Sequence, residues 1–162
     1  MQIRKNRNVN VSAEKAWEIL VQFGNVDAWA STVQHSTADQ LCQGATRVCQ
    51  TAMGKFDEKV TSYNPQQLTL SYTAEGEKIP FFVKRLENTW QIRPVNVHEC
   101  RVSMLMNVDI MFPFTIFPGP MMKMQMSKIA KQTLEEFKHF AETGRPHSRK
   151  LKLQMSKEAM AY

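Results

Sequence analysis

Between Thr32 and Ile110 the apolar residues of this chain recur at every second position, and on either side of that stretch they recur every third or fourth. Period two is the signature of half-buried strands, whereas steps of three and four mark one face of a helix. Roughly every eight to twelve residues the alternation is broken by turn residues, at Gln43-Gly44, Gly54, Asn64-Pro65, Glu75-Gly76 and 94–98. Short alternating runs joined by tight turns pair with their chain neighbours. The pattern predicts an antiparallel meander with strands over 33–41, 45–53, 56–63, 67–75, 82–93 and 99–110, preceded by an opening strand within 2–11.

One face of that sheet is greasy and the other wet. Leu68, Leu70, Tyr72 and Ala74 share parity, as do Leu86, Asn88, Trp90 and Ile92, and Val102, Met104, Met106 and Val108. Thr69, Ser71, Thr73, Arg101, Ser103, Asn107 and Asp109 fall on the opposite side. The helical periods supply what covers the greasy face. Ser12 is placed to cap a helix over 13–23, with Ala16, Trp17, Leu20 and Phe23 on one stripe, and a short helical turn is expected over 26–30. A long helix is predicted over 121–143, closed by Gly144, with Met122, Met126, Ile129, Ala130, Thr133, Phe137, Phe140 and Ala141 on its apolar stripe. That stripe must lie against the sheet.

With 162 residues the chain has length for one domain. The domain is expected over 1–144, and 145–162 form a basic tail, either disordered or adding an edge strand in a homodimer through Leu151, Leu153 and Met155. The formal net charge is +6, but Arg4, Lys5 and Arg7 carry +3 and the residues from Arg145 onward carry +4, which leaves −1 for 8–144. A nearly neutral body gives no basic stripe for nucleic acid, and the charged ends read as solvated tails. Cys42, Cys49 and Cys100 are odd in number and lack zinc-site spacing. Free thiols, a polar N-terminus and greasy runs too short to span a bilayer point to a cytoplasmic protein. The four histidines are scattered, so no metal is expected, and no phosphate-binding or dinucleotide motif calls for a cofactor.

The run Val9-Asn10-Val11-Ser12-Ala13-Glu14-Lys15-Ala16-Trp17 with Leu20, then Trp29, Gly44-Ala45-Thr46-Arg47, the strand holding Trp90 and Pro94, and the late Met/Phe helix occur in a telling order. Together they resemble the START-like superfamily (SRPBCC, the birch-pollen-allergen-like helix-grip fold), in particular its polyketide cyclase/dehydrase and lipid-transport group, over roughly residues 1–144. The resemblance implies an α+β helix-grip fold: a curved seven-stranded antiparallel sheet wrapped around a long C-terminal helix, with two short helices after the first strand. It also implies a central cavity for a small hydrophobic ligand such as a lipid, polyketide or quinone.

On that reading the ligand is held by Leu70, Tyr72, Leu86, Asn88, Trp90, Met104, Met106 and Val108 from the strands, by Met122, Met126, Ile129 and Thr133 from the helix, and by Phe114 from the connector. Unbranched methionines adapt to varied shapes, and four of the eleven Met fall in this set. Tyr72 and Asn88 need hydrogen-bond partners if buried, which a ligand group or a structural bond would supply. A cyclase or aromatase acting through His35, Tyr72 or a pocket carboxylate is the first alternative, although a lone strand histidine such as His35 is more often a surface or satisfied residue. An interaction protein similar to quinone chaperones or ribosome-associated factors, using the basic ends, is the second. Arg47 and Glu58 on neighbouring strands are placed either to form a cross-strand pair on the surface, the favoured reading, or to reach into the pocket. The connector, with Phe112, Phe114, Ile116 and Phe117 among three prolines, is read either as a lid or mouth of the cavity that rests on a membrane or a protein donor, or as a plug under the helix.

Overall fold

The computed structural model describes residues 1–160, with the side chains of all but 157, 158 and 160. Strand β1 (Gln2–Val9) leads into helix α1 (Ala13–Leu20) and a 3-10 segment over Phe23–Ala28. Six strands follow: β2 (Val33–Ala38), β3 (Thr46–Thr51), β4 (Gly54–Asn64), β5 (Thr69–Gly76), β6 (Val83–Asn96) and β7 (Glu99–Ile110). The long helix α2 (Gly119–Thr143) and a further helix α3 (Ser148–Met160) complete the chain.

All seven strands form one antiparallel sheet in the order β1-β7-β6-β5-β4-β3-β2. The meander therefore pairs neighbours throughout, and β1 returns to close on β7. This is the expected helix-grip arrangement, with element ends shifted by a few residues. Ser12 caps α1 as its sequence position suggests, its Oγ accepting from the Lys15 amide at 3.2 Å. Gly144 ends α2 in the left-handed region at φ 69°. Gly76 has a different reason: a Cβ there would lie 2.9 Å from the Lys55 carbonyl and 3.0 Å from the Phe56 ring.

The core divides into a filled end and an open end. Trp29, Trp90 and Phe137 pack edge to face and tilted, with centroids 5.4 to 6.3 Å apart, and fill the space under the C-terminal half of α2. Toward its N-terminal half α2 offers Thr133, Ile129, Met126 and Met122 to the sheet instead. These slimmer or unbranched side chains do not reach across the concave face, so a cavity remains.

Three expectations change. The tail does not supply an edge strand: its described part is helical, and its anchors are ionic. Arg149 Nε donates to Glu136 Oε1 at 2.7 Å, and Lys150, only 2% exposed, donates to the Val33 carbonyl at 2.7 Å. The basic ends are not loose tails: Arg4, Lys5 and Arg7 lie within β1 and Arg7 pairs with Glu135, although Arg4, Arg145 and Lys152 stay exposed. The helix expected over 13–23 stops at Leu20, and Phe23 begins the 3-10 segment.

Candidate functional site

Between α2 and the concave face of the sheet lies a cavity of about 530 Å³. Strand register explains its walls. Asn88 on β6 stands opposite Tyr72 on β5 and Met106 on β7, and Trp90 stands between Leu70 and Met104, so alternate residues of three adjacent strands point the same way. Leu70, Tyr72, Leu86, Asn88, Trp90, Met104, Met106 and Val108 all line the cavity, and Met122, Met126, Ile129 and Thr133 line it from α2.

Two expected participants lie elsewhere. Phe114 is not part of the lining: it stacks on Phe82 at 4.7 Å and meets Phe81 edge-on at 5.5 Å, so it ties the connector to the β5–β6 loop outside the cavity. His35 is on the edge strand β2 with its side chain 68% exposed, its Nδ1 3.4 Å from Asp27 Oδ2. It shares parity with the lining residue Val33, but a register shift between Val33 and His35 reverses the faces, so that Ser36 points inward, bonding the Gly24 carbonyl at 2.6 Å, and His35 points out.

A buried polar cluster corrects the favoured reading of Arg47 and Glu58 as a surface pair and matches its alternative, a pair reaching into the pocket. Arg47 and Glu58 are direct partners across β3 and β4, but the pair faces inward, with side chains 7% and 11% exposed. Arg47 Nε donates to Glu58 Oε2, and its Nη1 donates to the Phe23 carbonyl at 2.8 Å. Its guanidinium lies over the Phe23 ring at 3.9 Å and near the Tyr72 ring at 5.0 Å. Parity held the signal: Arg47 alternates with Cys49, and Glu58 sits between Phe56 and Val60.

Burial governs the titration of this cluster. It disfavours charge on Arg47, yet the Glu58 carboxylate together with Tyr72 and Cys49 outweighs it and holds the guanidinium above its ordinary range. Burial and then the Glu58 charge push the Cys49 thiol up to about 12 and the Tyr72 phenol up to about 12. Both therefore stay protonated near neutrality.

Hydrogen bonding separates the two polar residues that parity places on the central strands. Tyr72 is satisfied, its Oη accepting from Trp90 Nε1 at 3.3 Å. Asn88 is not: its Oδ1 is buried and has no partner among the protein's own described groups. Among the described residues no group of His, Cys, Asp and Glu is arranged to hold a metal ion.

The mouth is bounded by the β3–β4 tip at Ala52 and Met53, the β5–β6 loop at Lys78, Ile79 and Pro80, and the first turns of α2. Next to it the connector does not tuck under the helix as a plug. Phe112 is 78% and Phe117 80% exposed, and Ile116 is exposed as well.

A sheet that wraps a C-terminal helix and leaves a cavity beneath it defines a helix-grip protein of the START-like class. The chain matches the family described as Polyketide cyclase / dehydrase and lipid transport over residues 1–142, and it belongs to that family. No curated protein matches the sequence. Among solved structures it is similar to the Zhui aromatase/cyclase from Streptomyces sp. R1128, with TM-score 0.70 and 10% identity over 88% of this chain and 93% of that one. A START superfamily protein from Mycobacterium smegmatis superposes with TM-score 0.61 and 18% identity over 83% and 90% of the two chains. The protein XoxI from Bacillus cereus gives 0.69 and 15% over 85% and 93%. At such identities the likeness is one of fold.

Proposed function

We propose that the protein binds one small, mainly apolar molecule bearing a hydroxyl group in the cavity under α2, as a carrier or sequestering protein. The observation that carries this reading is the conjunction of a 530 Å³ apolar cavity with one unpaired buried amide, Asn88. The volume lies within the roughly 300–1,000 Å³ of small-molecule sites, which use few polar groups to fix orientation. Arg47 and Glu58 pair with each other and the Tyr72 oxygen accepts from Trp90, so Asn88 Oδ1 is the buried side-chain atom that a ligand donor would satisfy. A hydroxyl both donates and accepts, and so pairs with the carboxamide whichever way the amide is turned. Three free cysteines suit a reducing compartment such as the cytoplasm.

Native mass spectrometry of freshly purified protein, followed by organic extraction, tests this. The expected result is a bound apolar molecule of a mass that fits the cavity. Empty protein from several expression hosts would count against the carrier reading.

One observation favours a second reading, a cyclase of the aromatase type. The Arg47–Glu58–Tyr72 cluster brings ionisable groups to the cavity wall, and a relative of this fold is an aromatase/cyclase. The phenol, held protonated, would donate to a substrate carbonyl rather than act as a base. Conversion of a linear polyketide analogue that is lost in Tyr72→Phe would establish this alternative.

A further inference from the structure

Most of the exposed large apolar side chains among the described residues lie on the segments around the cavity mouth. Phe81, Phe112 and Phe117 are each about four-fifths exposed, with Ile116, Met121 and Met124 beside them. They form one patch, not scattered residues: Phe114 packs against both Phe81 and Phe82, and the Met111 amide donates to the Phe82 carbonyl at 2.8 Å. The patch also adjoins the mouth, because Phe81 follows the lining residue Pro80 and Met121 and Met124 flank the lining residue Met122. Exposing this much contiguous apolar surface is unusual for a surface left in water.

The shape and charge of the patch select among occupants. Its exposed rings are carried by two loops, Phe81 resting edge-on against Phe82 and Phe114 while Phe112 and Phe117 stand on the connector. The two segments that carry it, 77–84 and 109–128, hold Lys78, Lys84, Lys123 and Lys128 against Glu77 and Asp109. A second copy would bring the same positive excess against itself. Apolar side chains that project from a basic ring match a bilayer that presents anionic headgroups over acyl chains.

We propose that this rim docks the protein on anionic phospholipid bilayers, with Phe81, Phe112 and Phe117 entering the headgroup boundary and the lysines facing lipid phosphates. The cavity mouth then opens onto the membrane, and an apolar ligand passes between bilayer and cavity without crossing water. The transfer step rests on the cavity reading above; the docking step stands on the rim alone.

Flotation with phosphatidylcholine vesicles, with and without phosphatidylglycerol, tests the docking. The wild-type chain is expected to float with both and more strongly with phosphatidylglycerol. Phe112→Ser with Phe117→Ser should weaken binding to both by at least about tenfold, since each buried ring contributes to partition. Lys84→Gln with Lys123→Gln should remove only the phosphatidylglycerol-dependent gain. Binding of 2-naphthol in vesicle-free buffer is measured on all three proteins and is expected to be equal. If 2-naphthol binds but vesicles do not, or if the double Phe variant floats like the wild type, the docking proposal is overturned while the cavity reading stands. If vesicles bind in this pattern but 2-naphthol does not bind, the cavity reading fails and the docking remains. Wild-type self-association that the Phe variant abolishes, without flotation, would reassign the rim to a dimer interface and overturn the proposal.

Discussion

Replacing Asn88 with leucine separates the roles of fold and recognition at a single side chain. The two side chains have the same branching and the same number of heavy atoms, and the cavity beside Asn88 accommodates the larger leucine methyls, so packing against Tyr72 and Met106 is little disturbed. It removes a buried carboxamide oxygen that has no partner in the protein, and leaving such a group unpaired costs about 1–3 kcal/mol. The empty protein should therefore gain about 2 kcal/mol. At roughly 2–4 °C per kcal/mol for a chain of this size, the melting temperature should rise by about 4–8 °C. Recognition should move the other way. The preference for 2-naphthol over 2-methylnaphthalene, read by fluorescence titration, should fall by about tenfold in the variant, because leucine cannot pair with a hydroxyl. Urea unfolding and the two titrations together decide the matter. A variant less stable than the wild type by more than about 1 kcal/mol, with the hydroxyl preference unchanged, would refute the argument that Asn88 is held in reserve for a ligand.

Further predictions concern the paired groups. Glu58→Ala should destabilise by about 3–5 kcal/mol in urea unfolding, because it leaves Arg47 charged and buried, whereas the double change Arg47→Met with Glu58→Leu should recover most of that loss. An unaffected single variant would mean that Arg47 reaches water. Iodoacetamide at pH 8 should modify exposed Cys42 first and Cys49 slower by about three orders of magnitude, since a thiol pushed up to about 12 carries almost no thiolate. Equal rates, followed by mass spectrometry, would contradict the buried position. Glu136, 1% exposed, accepts from the Ser31 amide and hydroxyl and from Arg149. Arg149→Ala should lower stability by about 1–3 kcal/mol in thermal unfolding, and an unchanged midpoint would show that the Arg149–Glu136 pair adds nothing to the fold.

What was legible in the sequence followed from periodicity. Leu70, Tyr72, Asn88, Trp90, Met104 and Met106 could be placed on one face because strand parity is exact and each strand pairs with its chain neighbour. The stripe of α2 was equally plain, as steps of three and four persist from Met122 to Ala141. Parity was less decisive where charge interrupted it. Arg47 and Glu58 share the inward face with Cys49 and Phe56, yet a pair of opposite charges on adjacent strands suggests an exposed bridge, and only register and burial show that it points into the cavity.

Alternation misled in the tail for a different reason. Leu151, Leu153 and Met155 suggest a strand, but α3 is held by Arg149 and Lys150, whose ionic and carbonyl contacts leave no hydrophobic period to read. Phe114 illustrates a third limit. It lies on an irregular connector where neither period applies, and its contacts with Phe81 and Phe82 depend on two loops that meet only in the folded chain.

The central claim is that the space under α2 receives an apolar molecule. Methionine-methyl NMR tests it most directly, because the methionines report from both the cavity and the surface. On titration with 2-naphthol, the methyls of Met104, Met106, Met122 and Met126 should shift together and saturably, while that of exposed Met155 on α3 stays still. Unmoved cavity methyls at saturating probe, or shifts confined to the surface methionines, would contradict the account.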